Sequence, residues 1–397
     1  MSPNRVSLVR CDGYGREVVH DAVEKSVDLL GGIGMFVAPG EKVLVKPNML
    51  QPSPPERAVC THPDILHAVC RILLDLGCKV TVADSPGAGS IYGPSQLSKG
   101  YDEVGYSDLA ELGVTLNTDV SYVNVPNPSG RLIKMFPVIR PAVEADAIVV
   151  VSKLKTHMLT YLTAATKNIF GVVQGMDKAT FHGRLPLEDD FSDMLVDLNE
   201  LMRPRLQIVD AVMAMEGDGP YSGTPRRVNA IIAGPSYAHV DVVASKLIGA
   251  APGNIPTIKA AVRRGVLDGP MDDIEVVGER LEDMAVPDFR PPATYNGKER
   301  TGRARLMERA ASLMKAYALR PSIVSERCTG CGRCVRACPK HVISLRDGKA
   351  RVHYNKCIRC YTCHEMCTSG AVELKRSAGG KIIGTLVERG NKTRSSK

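Results

Sequence analysis

The sequence predicts an α/β body built on a mostly parallel sheet with flanking helices, followed by a small α+β module rich in cysteine. Two observations carry this. From residue 1 to about 285, short apolar runs alternate with segments apolar at helical spacing, the pattern of a sheet covered by helices. Beyond them, eight of the 12 cysteines fall between Cys328 and Cys367, a clustering that points to metal in a reducing compartment and away from a disulfide scaffold. The 397 residues give length for two or three domains.

Taken in order, Val6–Arg10 reads as a strand and Glu17–Leu30 as a helix, with Val19, Val23, Val27 and Leu30 on one face. Lys42–Val45 is a strand running into Lys46-Pro47-Asn48. Thr61-His62-Pro63-Asp64 reads as a helix start, with Thr61 as the cap, Asp64 closing the box and Pro63 in the first turn. Lys79–Ala83 is the next strand, followed by Asp84-Ser85 and the loop Gly87-Ala88-Gly89-Ser90. Ala147–Ser152, Leu206–Val209 and Val228–Ala233 are further strands; Glu188–Leu201, His239–Ile248 and Pro256–Arg264 are further helices. The expected division is 1–286 for the α/β body, 287–320 for a linker with a basic amphipathic helix at Arg303–Ala318, 321–373 for the cysteine module and 374–397 for a basic, flexible tail.

Charge excludes little. The net charge is +8, but the tail from Leu374 carries seven Lys and Arg against Glu388 alone, so the body is nearly neutral. Aromatic residues are 5% of the chain, which argues against a nucleic-acid binder that stacks bases. No stretch approaches ~20 apolar residues, so no transmembrane segment is expected. The N-terminus lacks the apolar run of a secretory signal, and the expected location is cytoplasmic.

The cysteine spacing is specific. The first run is Cys328-x2-Cys331-x2-Cys334-x3-Cys338-Pro339 and the second Cys357-x2-Cys360-x2-Cys363-x3-Cys367. Thiolates three residues apart on a turn can converge on one cubane, while the fourth is carried away by the following turn. Zinc sites use paired Cys-x2-Cys units over a longer loop, a poorer match. From Ser325 to Val372 the chain resembles bacterial-type two-cluster ferredoxins, with Thr368 where a second proline is usual. The resemblance implies two [4Fe–4S] clusters with exchanged fourth ligands. Cys328, Cys331, Cys334 and Cys367 would hold one; Cys357, Cys360, Cys363 and Cys338 would hold the other. Such modules relay electrons, so a redox partner protein is expected and substrate chemistry is sought in the body.

In open α/β sheets ligands bind outside the carboxyl ends of strands. Lys46-Pro47-Asn48, Lys153-Leu-Lys155-Thr156-His157, Lys167-Asn168-Ile-Phe-Gly171, Asp210 and Glu216-Gly217-Asp218-Gly219-Pro220 fall at or beyond such ends. Over about residues 40–250 these motifs resemble the family called domain of unknown function 362, whose members often carry a ferredoxin module. The name supplies no substrate. By residue chemistry, Lys46, Asn48, Lys153, Lys167 and Asn168 are candidates for binding an anionic small molecule. His157, Lys155, Asp210 and Glu216 are the candidate catalytic set, with His157 as proton donor. The expected function is an iron–sulfur redox protein whose two clusters relay electrons to or from an anion-binding body. The alternative is a non-catalytic electron carrier or assembly subunit that docks a larger redox complex.

Overall fold

A computed structural model of the chain describes residues 4–87, 93–175, 177–185, 187–271, 273–295 and 320–375. Ala88–Ser90 of the glycine loop, the helix expected at Arg303–Ala318 and the tail beyond 375 lie outside the described residues.

The strands of the body are β1 (Arg5–Arg10), β2 (Lys42–Pro47), β3 (Lys79–Val82), β4 (Thr115–Leu116), β5 (Tyr122–Pro126), β6 (Met135–Ile139), β7 (Ala147–His157), β8 (Tyr161–Thr163), β9 (Leu206–Glu216), β10 (Thr224–Gly234) and β11 (Glu275–Gly278). The main sheet runs β11-β1-β10-β9-β7-β2-β3-β4, with β8 added to the end of β7 and β5–β6 forming a separate hairpin. The half from β9 to β4 is parallel; β10 is antiparallel to both its neighbours. This is the mostly parallel sheet that the alternation predicts.

Alternation within strands builds three layers. Val43, Val45, Val149 and Val151 face one core, shared with α1 (Arg16–Asp28) and α2 (Pro63–Asp75). Leu44, Ile148 and Val150, one residue out of step, face the other side. Two cores cover that side, one beneath Glu188–Met202 and one beneath Tyr237–Leu247 and Pro256–Arg263.

Three expectations are corrected. The Lys153–His157 segment, read as a loop, continues β7, which is buried along its whole length and pairs with β8 through Lys155↔Thr163 and His157↔Tyr161. Its side chains are therefore fixed by a ladder. Asp210 likewise lies within β9, not at its end. The cap of α2 is His62, whose Nδ1 accepts from Asp64 N at 3.2 Å. Thr61 is taken up elsewhere: its Oγ1 donates to Val151 O and accepts from Asn48 N, tying β2 to β7. The described part of the expected linker is docked on the body, with Thr294 Oγ1 donating to Met158 O and Tyr295 Oη to Leu159 O.

In the cysteine module, β12 (Arg320–Ile323) pairs with β15 (Val372–Lys375), and β13 (Ile343–Arg346) with β14 (Lys349–Val352). The second pair turns through Asp347 and Gly348, both at positive φ (53° and 69°), as a two-residue hairpin requires. The module packs closely on the body. Gln51 Nε2 donates to Glu365 O at 3.1 Å, and Arg333 donates to Gln51 Oε1 at 3.1 Å. A Cβ on Gly183 would lie 2.7 Å from Pro339, so glycine there permits the approach.

Candidate functional site

The strand ends and two short helices enclose a cavity of about 50 Å³, whose walls include Lys46, Asn48, Asp84, Lys155, Lys167 and Lys178. Lys155 and His157 come from one face of β7, Lys46 and Asn48 from the end of β2, and Asp84 and Ser85 follow β3. Lys167 and Asn168 belong to the short helix Ala165–Asn168, and Lys178 to the helix Asp177–Arg184. The structure thus gathers Lys46, Asn48, Lys155, His157, Lys167 and Asn168 at one site.

Their roles in the framework differ. Lys46 Nζ donates to Pro47 O (2.6 Å) and Asn168 Oδ1 (3.3 Å) and pairs with Asp84 Oδ2 (3.0 Å). An ammonium has three N–H donors, so Lys46 is saturated by protein. Asn48 Nδ2 donates to the same Asn168 oxygen at 2.8 Å. Gly171 lies against this pair: a Cβ there would sit 2.2 Å from Asp84 Oδ1 and 2.3 Å from Lys46 Nζ. The glycine of the Lys-Asn-x-x-Gly motif is thus required by close approach.

Burial pushes Lys155 and Lys178 down to about 7, since a desolvated ammonium is disfavoured. His157 is fixed as one tautomer: its Nδ1 accepts from Leu159 N (3.1 Å) and Thr160 N (3.2 Å). The proton therefore sits on Nε2, which lies 3.2 Å from Glu365 Oε1. Burial lowers the His157 pKa, and a second proton has no acceptor at Nδ1. His157 is a neutral imidazole held against a carboxylate. Burial alone would raise Glu365, but the His157 ring facing it, with Lys167 nearby, holds it well below the usual carboxylate range.

Three expected site residues lie elsewhere. Lys153 Nζ donates to Asp210 Oδ2 (2.8 Å) and Tyr14 Oη (2.7 Å), and Tyr14 donates to Asp210 Oδ1 (2.9 Å). With His62 N on Asp210 Oδ2 at 2.9 Å, this is a buried, mutually satisfied knot. Glu216 is held by Arg290 through Nε at 2.7 Å and through its backbone N at 3.0 Å. Sequence reasoning left Lys178 and Glu365 out. Lys178 sits in a polar stretch with no motif. Glu365 lies between two cysteines, where its contact with His157 exists only after the module docks.

The cysteines form two rings. Cys328, Cys331, Cys334 and Cys367 line one cavity; Cys338, Cys357, Cys360 and Cys363 line another. The donor set fits iron–sulfur clusters. Backbone N–H groups point at the sulfurs: Ala350 N on Cys328 and Val342 N on Cys338 at 3.4 Å, Ala371 N on Cys367 at 3.1 Å. Such donors stabilise thiolate ligands and tune a cluster's potential. Gly330 is at φ 70°, and a Cβ there would lie 2.3 Å from Gly348 O.

Sheet, cavity and cysteine rings together define an α/β protein with an iron–sulfur module. The family model described as a domain of unknown function, DUF362, matches residues 43–246, and a 4Fe-4S dicluster domain matches residues 320–368. The chain belongs to the DUF362 family and carries a C-terminal 4Fe–4S-binding domain with an electron-transfer role. It is 33% identical over 271 residues to the thylakoid-associated protein sll1697 of Synechocystis, covering 66% of this chain and 79% of that protein. A 67-residue stretch is 31% identical to the DNA-directed RNA polymerase subunit Rpo3 of Methanosarcina acetivorans, covering 16% of this chain and 25% of that subunit. Among solved structures, a Thermotoga maritima protein has TM-score 0.38 and 15% identity over 60% of this chain and 59% of its own. The lactate racemase apoprotein of Thermoanaerobacterium thermosaccharolyticum has TM-score 0.36 and 13% identity over 61% and 58%. No helix among the described residues is long and apolar enough to cross a membrane.

Proposed function

We propose that the lysine cavity binds a small anion and that two [4Fe–4S] clusters exchange electrons with it, the protein acting as an iron–sulfur redox protein of the cytoplasm. One observation carries the reading: the cysteine module forms part of the cavity's surroundings. Met366 lines the first cysteine ring. Its Cε lies 2.8 Å from where a Cβ on Gly87, a wall residue of the lysine cavity, would stand. Met366 thus packs against the wall of the lysine cavity. Glu365, its neighbour, reaches His157. A bound [4Fe–4S] cluster supplies single electrons.

The body's residues do the rest. Lys155, Lys167 and Lys178 draw in an anion, and desolvation strengthens that attraction. The neutral His157 presents no acidic second proton; its place is to hold Glu365, and through it the module, against the site.

The test is the midpoint potential of each cluster in anaerobic protein, with and without a saturating small carboxylate. A negative charge bound near a cluster favours its oxidised form, so at least one potential is expected to fall. In Lys155→Ala/Lys178→Ala protein the shift is expected to vanish. Unchanged potentials at demonstrated saturation would overturn the relay and leave a separate binding site.

Binding is also expected to depend on pH. Because Lys155 and Lys178 stand at about 7 when buried, they carry full charge below that value and lose it above. Anion affinity is expected to be level near about pH 6 and to weaken by about tenfold or more near about pH 8.5, with proton uptake on binding there. Calorimetry in buffers of different ionisation enthalpy checks this; equal affinities and no proton uptake would contradict it.

A further inference from the structure

We infer that the cavity is built for a small carboxylate carrying a hydroxyl or amino group on the adjacent carbon, a 2-hydroxy or 2-amino acid of about two to four carbons. This rests on the anion reading above and specifies what else the ligand bears.

The donors come first. Lys155 spends one N–H on Val59 O (2.6 Å), and Lys178 reaches Ser85 O (2.6 Å) and Pro86 O (3.4 Å). Lys167 lies over the Phe170 and Phe191 rings, at 5.2 Å and 5.9 Å from their centroids. With three N–H groups each, these lysines retain donors for an anion's oxygens, whereas Lys46 does not.

The same walls hold acceptors that no protein group satisfies. Asn48 Oδ1 and Asp84 Oδ1 are buried without a hydrogen-bond partner, in residues 8% and 3% exposed. The other atoms of these groups are committed: Asn48 Nδ2 to Asn168, Asp84 Oδ2 to Lys46 and to Met49 N at 2.7 Å. A buried acceptor left unpaired keeps its full desolvation penalty. A ligand made only of anionic oxygens would pair the lysines and leave these acceptors facing negative charge. A ligand with an O–H or N–H beside its carboxylate satisfies both sets. The cavity is about 50 Å³ and partly open, so the lysines and the acceptors are met by neighbouring atoms of one ligand. Lys46 balances the charge of Asp84, so a hydroxyl and an ammonium both fit.

The test is calorimetry on the anaerobic, cluster-loaded full chain at about pH 6.5, with the lysines charged. Acetate is compared with glycolate and glycine, and propionate with 2-hydroxypropionate and alanine. At least one substituted acid in each set is expected to bind about tenfold to a hundredfold more tightly than its parent; which one identifies the donor. In Asn48→Leu the ratio of substituted to parent affinity is expected to fall towards one, whatever the change in affinity common to both acids. Equal affinities across each wild-type set would overturn the donor requirement and leave the anion reading standing. If no acid binds, the anion reading fails, and this inference with it. The wild-type comparison decides even if Asn48→Leu does not fold.

Discussion

Replacing Gly171 by Ala is expected to destabilise the protein by about 3–5 kcal/mol and to abolish anion binding. The added methyl would stand 2.2 Å from Asp84 Oδ1 and 2.3 Å from Lys46 Nζ, and both partners are buried. Neither can retreat into water, so the pair must separate within the interior. Breaking a buried pair is costly because each ion loses its partner without regaining solvent. Lys46→Met, which strands Asp84, is expected to cost a similar amount. Lys46→Met/Asp84→Leu, which removes both charges, is expected to recover most of the stability while binding stays lost. Thermal unfolding under anaerobic conditions gives the order. Gly171→Ala protein that melts like the parent would show that the pair is not held as described.

The second large effect concerns ligand exchange between the clusters. Wild-type protein prepared anaerobically is expected to carry about eight iron and eight sulfide per chain. Cys338→Ala is expected to damage the cluster ringed by Cys357, Cys360 and Cys363, and Cys367→Ala the one ringed by Cys328, Cys331 and Cys334. Each substitution removes a ligand from the ring of the other run, since Cys338 lines the second cavity and Cys367 the first. Spectra of the reduced variants distinguish the two clusters. Damage confined to the mutated run would reverse the assignment, and stoichiometric zinc without sulfide would remove the clusters altogether.

How much of this was legible in the sequence depends on how local each determinant is. The two cysteine runs were readable from their spacing, whereas the placing of Cys338 and Cys367 with the opposite run came with the resemblance to two-cluster ferredoxins. Lys46, Lys155 and Lys167 were readable as polar residues near the ends of apolar strands, because parallel strands open their carboxyl ends together; Lys178 was not. Lys153 and Lys155 show where that signal runs out. They share one motif and one strand. The pairing of β7 with β9 is irregular between them, and Lys153 falls to the Asp210–Tyr14 knot while Lys155 faces the cavity. No periodicity reveals such a shift. His62 holds the cap expected of Thr61 for a related reason: Thr61 was claimed by Val151 and Asn48, partners distant in sequence. Glu365 was illegible because its significance is tertiary. Within the module it is one more polar residue; only docking through Gln51 and Arg333 brings it to His157.

The most direct test of the central claim is pulsed electron paramagnetic resonance on reduced, anaerobic protein saturated with a ¹³C-labelled small carboxylate. An anion in the lysine cavity, whose wall packs against Met366 of the first cysteine ring, is expected to show hyperfine coupling between its carbon and the cluster spin, and Lys155→Ala/Lys178→Ala protein is expected to show none. Absence of coupling in wild-type protein, with the anion bound at full occupancy, would contradict the account.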